Sequence, residues 1–568
     1  MTAATPRSSA QMDLDDELEL TSNGDGELHS TEDQEPATPV SRPTITRSQA
    51  WNLYVSHAFS TWNARGYEFA AVLFTAAAYP GTLAVAAGRM IIVYFAMILF
   101  SSSVGQWVQR SPDRLRTLLS TIICNRGTVI LGSFFWLLIL SQEDLVGDEA
   151  TFVLPKNDVL KGIGFTTAVT LGIVERLSAS GNMISMERDW VVTIAAPAGM
   201  SYDLTDLNAV MRRIDLVCKL ISPILISIVI SAVGSTRVGV IYTGLTSLVS
   251  IPIETLSAKR VWKSSSLLQT PRPVTPQQAE SGISTQRTTW RIWVHHEIKS
   301  FRMYFTSSVW VPSVALALLH FNMLTWRATF ITYLINVGYS LAVITIARGI
   351  GSLFEITSTV LTPRGIRLLG KTGYRRSRRA DDYEESGVGL MSENQEGVQD
   401  AETLTGLQRV GLWGISWQSI NTVPVVLALW AISAQFTESD SLSGFSRSIM
   451  ARTVSLPIAW SLILFSFLAM SRLGVWVFDL STQQLTQTLV PAHQRSSFAG
   501  VENSIVNMFE VLGAGVAIAF PETEQYGWLA LASLAAVAIS WLMYAGWVRS
   551  QRGHLVHWDK LGFSRPCN

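Results

Sequence analysis

The sequence predicts an all-α polytopic membrane protein with twelve transmembrane helices in two six-helix lobes. Of 568 residues, 48% are apolar and only 15% charged, with 19 Trp and no net charge, whereas soluble chains carry about a quarter charged residues. Apolar stretches recur that can cross about 30 Å of hydrocarbon at 1.5 Å per residue. A long polar loop divides them six and six. A balanced charge removes the basic excess that nucleic-acid binding needs, so no nucleic-acid partner is expected. Cys124, Cys218 and Cys567 lie far apart without metal-ligand spacing, which argues against a disulfide framework or a structural zinc site.

Residues 1–48 are acidic and rich in Ser, Thr and Pro without an apolar period, so a disordered cytosolic tail is expected there. The spans follow at 52–78, 83–106, 117–141, 159–183, 208–232 and 236–256 in the first lobe (49–256). Those of the second lobe (305–547) lie at 306–334, 339–361, 411–435, 451–479, 497–519 and 525–547. Between the lobes, 257–304 reads as a cytosolic linker, 364–409 as a disordered cytosolic insertion, and 548–568 as a cytosolic tail. Lys and Arg mark cytosolic loops. Arg110, Arg114 and Arg116, then Lys259, Arg260 and Lys263, then the cluster from Arg364 to Arg379 place those loops inside. The acidic connection after the third span, and Glu438 with Asp440 after the ninth, place the others outside. Both termini are then cytosolic, in a membrane that is either plasma or vacuolar.

Charged side chains at membrane depth are costly unless paired or facing a watered cavity, so they point to a transport pathway. His57, Thr61, Ala64 and Glu68 recur at steps of four, three and four and share one face of the first span. Asn503, Glu510 and Gly513 share a face of the eleventh. A pathway through His57, Glu68, Asn503 and Glu510 follows. Glu187, Arg188, Asp189, Arg212, Arg213 and Asp215 bring both signs to the ends of the fourth and fifth spans, and Arg472 and Asp479 lie in the tenth. They form either an ion-pair gate between helices or a boundary cluster that sets topology. Arg327, in the seventh span, either pairs with Glu355 or snorkels to an interface. No P-loop, HExxH, GxSxG or dinucleotide fingerprint is present, and the chain is not expected to be an enzyme.

The strings YVSHAFSTWNAR, SASGNMISMERDW, LNAVMRRID, SRLGVWVFDLSTQQLTQ and GVENSIVNMFE resemble the ferroportin family, solute carrier family 40, in order and separation. The resemblance implies a major-facilitator-like fold and export of iron(II) or a related divalent metal by alternating access. It implies proton counter-transport, with Glu68, His57 or Glu510 as carrier, and no permanently bound cofactor beside the lipid bilayer and the metal. The family's metal-ligand positions fall here at Ala64, Ala328 and Gly513. Two readings stay open. In one, the metal ligands have moved by a turn to His57, Glu68 and Glu510, a mixed N/O set that suits iron(II). In the other, the scaffold carries an anionic metabolite or metal chelate, favoured by the fixed charge of Arg327. A non-transporting membrane receptor is a third possibility.

Overall fold

The computed structural model describes residues 45–79, 84–141, 158–272, 290–381, 393–441, 458–520, 522 and 525–552. All regular structure among them is helical: α1 Arg47–Ala78, α2 Ala84–Arg110, α3 Arg114–Ser141, α4 Asp158–Met183, α5 Leu204–Val233 and α6 Thr236–Ser264. The second half holds α7 Trp290–Thr306, α8 Trp310–Leu318, α9 Ala328–Asn336, α10 Leu341–Asp381, α11 Glu393–Ser441, α12 Ile458–Leu489, α13 Arg495–Ala519 and α14 Tyr526–Arg552. Local chemistry sets the starts. Thr46 and Gln49 close a reciprocal capping box on α1, and the Asp203 carboxylate accepts from the Asp206 amide to cap α5. Gly234, at φ +72, ends α5 in the left-handed region where a Cβ is penalised.

The exterior is apolar and the interior carries the polar groups. Ile224, Ile228, Leu245 and Leu248 are exposed on α5 and α6, whereas Ser250 and Glu254 of α6 are buried. Inversion of this kind is what a hydrocarbon solvent selects. The Glu254 carboxylate, fully buried, accepts from Arg126 Nε of α3 at 3.0 Å. Arg126 also donates to the Ser60 carbonyl and the Asn125 side chain, so each of its three nitrogens has a protein partner.

Nine helices among the described residues are long and apolar enough to span a membrane, ten if the bent pair α7–α8 is counted. The expected twelve is therefore not reached by that criterion. Each expected span coincides with helix, but α1 and α4 carry Arg65, Glu68, Glu175 and Arg176 in their middles. The seventh is broken. After α8 come a 3-10 turn, Leu319–Phe321, and irregular backbone up to Arg327. The freed groups find partners: Ser533 Oγ accepts from Met323 N, and Tyr526 OH donates to Met323 O. Non-helical backbone at membrane depth is tolerated where it is so satisfied.

Other boundaries also differ. The tenth span, expected at 451–479, is helix from Ile458 to Leu489, because the polar run STQQLTQ is buried against the first half instead of forming a loop. The expected insertion 364–409 is largely helix, α10 and α11 continuing through its two ends. There Gly370 meets the backbone of Glu402 and Gly406 that of Ile366, so the absence of side chains lets the two helices pack closely. The linker 257–304 contains the end of α6, a one-turn helix Ser266–Gln269 and α7. The tail 1–44, the connections 142–157 and 442–457, and residues 553–568 lie outside the described residues.

The halves touch chiefly where α2 crosses α13 and where α5 meets α10 and α12. At the first crossing Gly105 faces Gly500: a Cβ on Gly105 would sit 2.8 Å from the Gly500 Cα. Close backbone approach at small residues is the usual device for packing helices in lipid.

Candidate functional site: a cross-half lock and a charged chamber

Between α4 and the one-turn helix Val191–Ile194, residues Ile184–Trp190 form a π-helical turn. The wider turn re-aims successive side chains, and Glu187, Arg188 and Asp189 leave it in different directions. Arg188 crosses to the other half: its guanidinium lies 2.7 Å from Glu502 of α13 and also donates to Thr486 Oγ1 and the Gln483 carbonyl of α12. Glu502 is held from behind by Ser313 at 2.9 Å, which accepts in turn from Tyr304 OH. Glu187 accepts from Gln483 Nε2 at 2.8 Å. Asp189 stays on its own side, between Arg114 at 3.0 Å and Arg272 at 2.7 Å. Arg272 comes from the chain after α6, so this carboxylate moors the linker to the first half.

The lock continues along α5. Arg212 pairs with Asp479 of α12 at 2.9 Å and donates to Gln483 Oε1 at 2.9 Å. Arg213 Nε donates to Thr359 Oγ1 of α10 at 3.0 Å. Asn208 and Gln487 bond at 2.6 Å, Gln484 donates to Thr205 at 2.7 Å, and Asn503 donates to Ser180 at 2.9 Å. Every glutamine of STQQLTQ thus bonds across the halves. At the rim, Arg367 of α10 reaches Asp206 at 2.6 Å and Asp203 at 3.5 Å. Burial pushes the Asp203 carboxyl above the usual range. Nearly half exposed, the Arg367 pair contributes little to stability.

Besides Asp189, two more of the expected gate residues pair within one half. Asp215 is gripped by Arg65, Nε to Oδ1 at 2.9 Å and Nη2 to Oδ2 at 3.0 Å, a bidentate geometry. Arg472 takes Glu355 at 2.7 Å. Arg327 pairs instead with Glu510, at 2.9 Å, so neither of its two expected settings, a pair with Glu355 or a snorkelled end, is the one observed.

Away from the lock lies a charged chamber. Glu68, 43% exposed, is 3.3 Å from both Arg65 and Arg176. From the other half, Glu510 sits between Arg327 and His320, the latter at 3.1 Å, both brought in by the broken span. Glu68, Arg176, Glu510 and Arg327 all lie near enough to Tyr94 of α2 for their charges to act on it. Gly513 is explained by the same break: a Cβ there would lie 2.7 Å from Met323 and 3.2 Å from the Phe321 carbonyl. His57, by contrast, is buried and bonds Thr61 at 3.4 Å. It lies eleven residues from Glu68, about 16 Å along the helix. Among the described residues no group of three or more His, Cys, Asp or Glu could hold a metal ion in this arrangement. Arg65, Arg176, His320, Glu502 and Arg272 are site residues that sequence reasoning missed; Arg65 and Arg176 were findable as charges inside spans.

Long apolar helices, tied across the molecule at one end beside a cluster of intramembrane charges, define a multi-pass membrane protein of carrier architecture. The family described as Ferroportin1 (FPN1) matches residues 47–372 and 399–537, and the chain belongs to it. It is 26% identical over 532 residues to "Solute carrier family 40 member 1" of Oryza sativa subsp. japonica, covering 90% of this chain and 93% of that protein. In fold it is similar to a bacterial homologue of iron transporter ferroportin in the outward-facing state (TM-score 0.65, 20% identity, 89% of this chain and 100% of that one). It is also similar to the major facilitator superfamily proton:xylose symporter XylE (TM-score 0.55, 9% identity, 88% of this chain and 95% of that one).

Proposed function

We propose that the protein is a secondary transporter that exports divalent metal, iron(II) foremost, from the cytosol by alternating access. The observation that carries the reading is the lock: cross-half pairs at the end bearing the basic loops, with Glu68 and Glu510 facing a common chamber beyond it. By the Lys and Arg bias that end is cytosolic, and the arrangement is then the outward-facing one. Both chamber carboxylates are occupied by internal cations. In this account Arg65 and Arg176, and Arg327 and His320, take the carboxylates once metal has left outward, and so oppose its return. Opening of the lock would draw those cations away and free Glu68 and Glu510 for metal from the cytosol. His320, whose imidazole lies 3.1 Å from Glu510, is a residue type suited to carry a counter-transported proton, as are Glu68 and Glu510; His57 is a candidate only through a relay.

A second reading rests on Arg176 and Arg327, 30% and 40% exposed in the chamber. Fixed guanidinium charges repel a bare divalent cation and attract an anionic chelate. Flux of radioactive iron(II), cobalt(II) and zinc(II) in proteoliposomes separates the two. The metal reading expects flux in wild type, reduced by at least tenfold in Glu68→Ala and in Glu510→Ala with folding retained. Absence of divalent flux with flux of iron citrate supports the chelate reading, and unaltered metal flux in both variants removes these carboxylates from the pathway.

A further inference from the structure

α7 precedes the broken seventh span, and its three faces differ. One face is committed to the protein: Trp293 Nε1 donates to Ser103 Oγ at 3.0 Å, and Ser103 donates to Glu297 at 2.5 Å. Ser300 and Tyr304 are buried on the same side, Tyr304 stacked on Phe498 at 4.5 Å. A second stripe, Trp290, Val294, Ile298, Phe301 and Phe305, recurs at steps of four, four, three and four. Trp290, Ile298 and Phe305 on it are well exposed, and a groove of about 560 Å³ is lined by Trp293, Val294, Glu297, Ile298, Phe301 and Phe305 with Arg302 at its rim. The third stripe, one residue on, is Arg291, His295, Lys299 and Arg302, all exposed. The helix's only acid, Glu297, accepts from Ser103 and Gln106 of α2, so the fixed charges on the exposed third stripe, Arg291, Lys299 and Arg302, are all positive.

The axis gives the orientation. α7 is bent by 102° from the helix that follows it, so if α8 crosses the bilayer, α7 lies along its surface. Its contacts with Ser103 and Gln106 put it at the lock end, where the basic loops are. An apolar stripe facing hydrocarbon beside a Lys/Arg stripe at headgroup level is the pattern of an interfacial helix that selects anionic lipid.

We propose that α7 is a binding site for an anionic phospholipid of the cytosolic leaflet. The phosphate is taken by Arg291, Lys299 and Arg302, and an acyl chain lies in the groove along Ile298 and Phe305. Because α7 belongs to the second half and hydrogen-bonds α2 of the first, a lipid seated there braces the closed lock. The site is independent of which cargo the chamber carries, since its test reads binding and not transport.

The experiment is native mass spectrometry of the full chain with phosphatidylglycerol, phosphatidylcholine or inorganic phosphate. Wild type is expected to retain phosphatidylglycerol on the order of tenfold better than phosphatidylcholine. In Arg291→Gln/Lys299→Gln/Arg302→Gln the preference should vanish while the unfolding midpoint in phosphatidylcholine micelles is unchanged. Should the triple variant not fold, Lys299→Gln alone is expected to lower the preference about threefold. An equal preference in wild type and the folded variants would overturn the site, as would displacement of the lipid by a second copy of the chain. Phosphate retained as well as the intact lipid would overturn the acyl-chain groove.

Discussion

Glu502→Ala is expected to open the lock at the basic-loop end. Glu502 is 5% exposed, and with it gone Arg188, whose side chain is 12% exposed, keeps its charge but loses its carboxylate. Removing one partner of a buried pair costs about 3–5 kcal/mol. That cost falls only on the closed arrangement, since Arg188 regains water when the halves part. The equilibrium should therefore shift toward the open lock by about two to four powers of ten. A single cysteine at Thr205, buried beneath Gln484, reports this shift. In a background free of native cysteines, its labelling by a membrane-impermeant thiol reagent from the basic-loop side should accelerate strongly in Glu502→Ala. An unchanged rate would mean that the pair sets topology only.

The largest loss of stability is expected from Glu254→Ala. Its carboxylate is fully enclosed and Arg126 is 1% exposed, so the variant strands a guanidinium among apolar helices, again at about 3–5 kcal/mol. The double variant Arg126→Met/Glu254→Leu should recover most of it, because replacing both partners removes the desolvation cost as well. Thermal unfolding in micelles checks both: a large drop for the single change, and a midpoint near wild type for the double. A single variant as stable as wild type would show that water reaches the pair.

The sequence carried the architecture further than the pairings. Apolar period and length located helices at the expected spans, nine or ten of which among the described residues pass as membrane-crossing, yet could not show the seventh span breaking, since ALALLHFNMLTW is as apolar as its neighbours. The break depends on Ser533 and Tyr526, some two hundred residues away. The strings containing Arg188, Arg212 and Asp479 were legible as a gate because both signs sit at the helix ends. Their true partners, Glu502 and the glutamines of α12, are distant in sequence and uncharged or outside the charge cluster. His57 and Glu68 share a helical face, but a face is a direction and not a distance, and eleven residues separate them beyond any common ligand. Arg126 and Glu254 escaped notice although each is a lone charge within an apolar helix, the signal that intramembrane cost makes informative.

The central claim is that the cross-half lock is one closed end of a two-state carrier. Distances between spin labels test it most directly, with one pair at Met200 and Ala492 on the basic-loop end and another at Val233 and Phe520 on the opposite end, all exposed positions. The account predicts that introducing Glu502→Ala lengthens the first distance and shortens the second, each moving between the same two populations. A lengthening at both ends together, or no change at either, would contradict it.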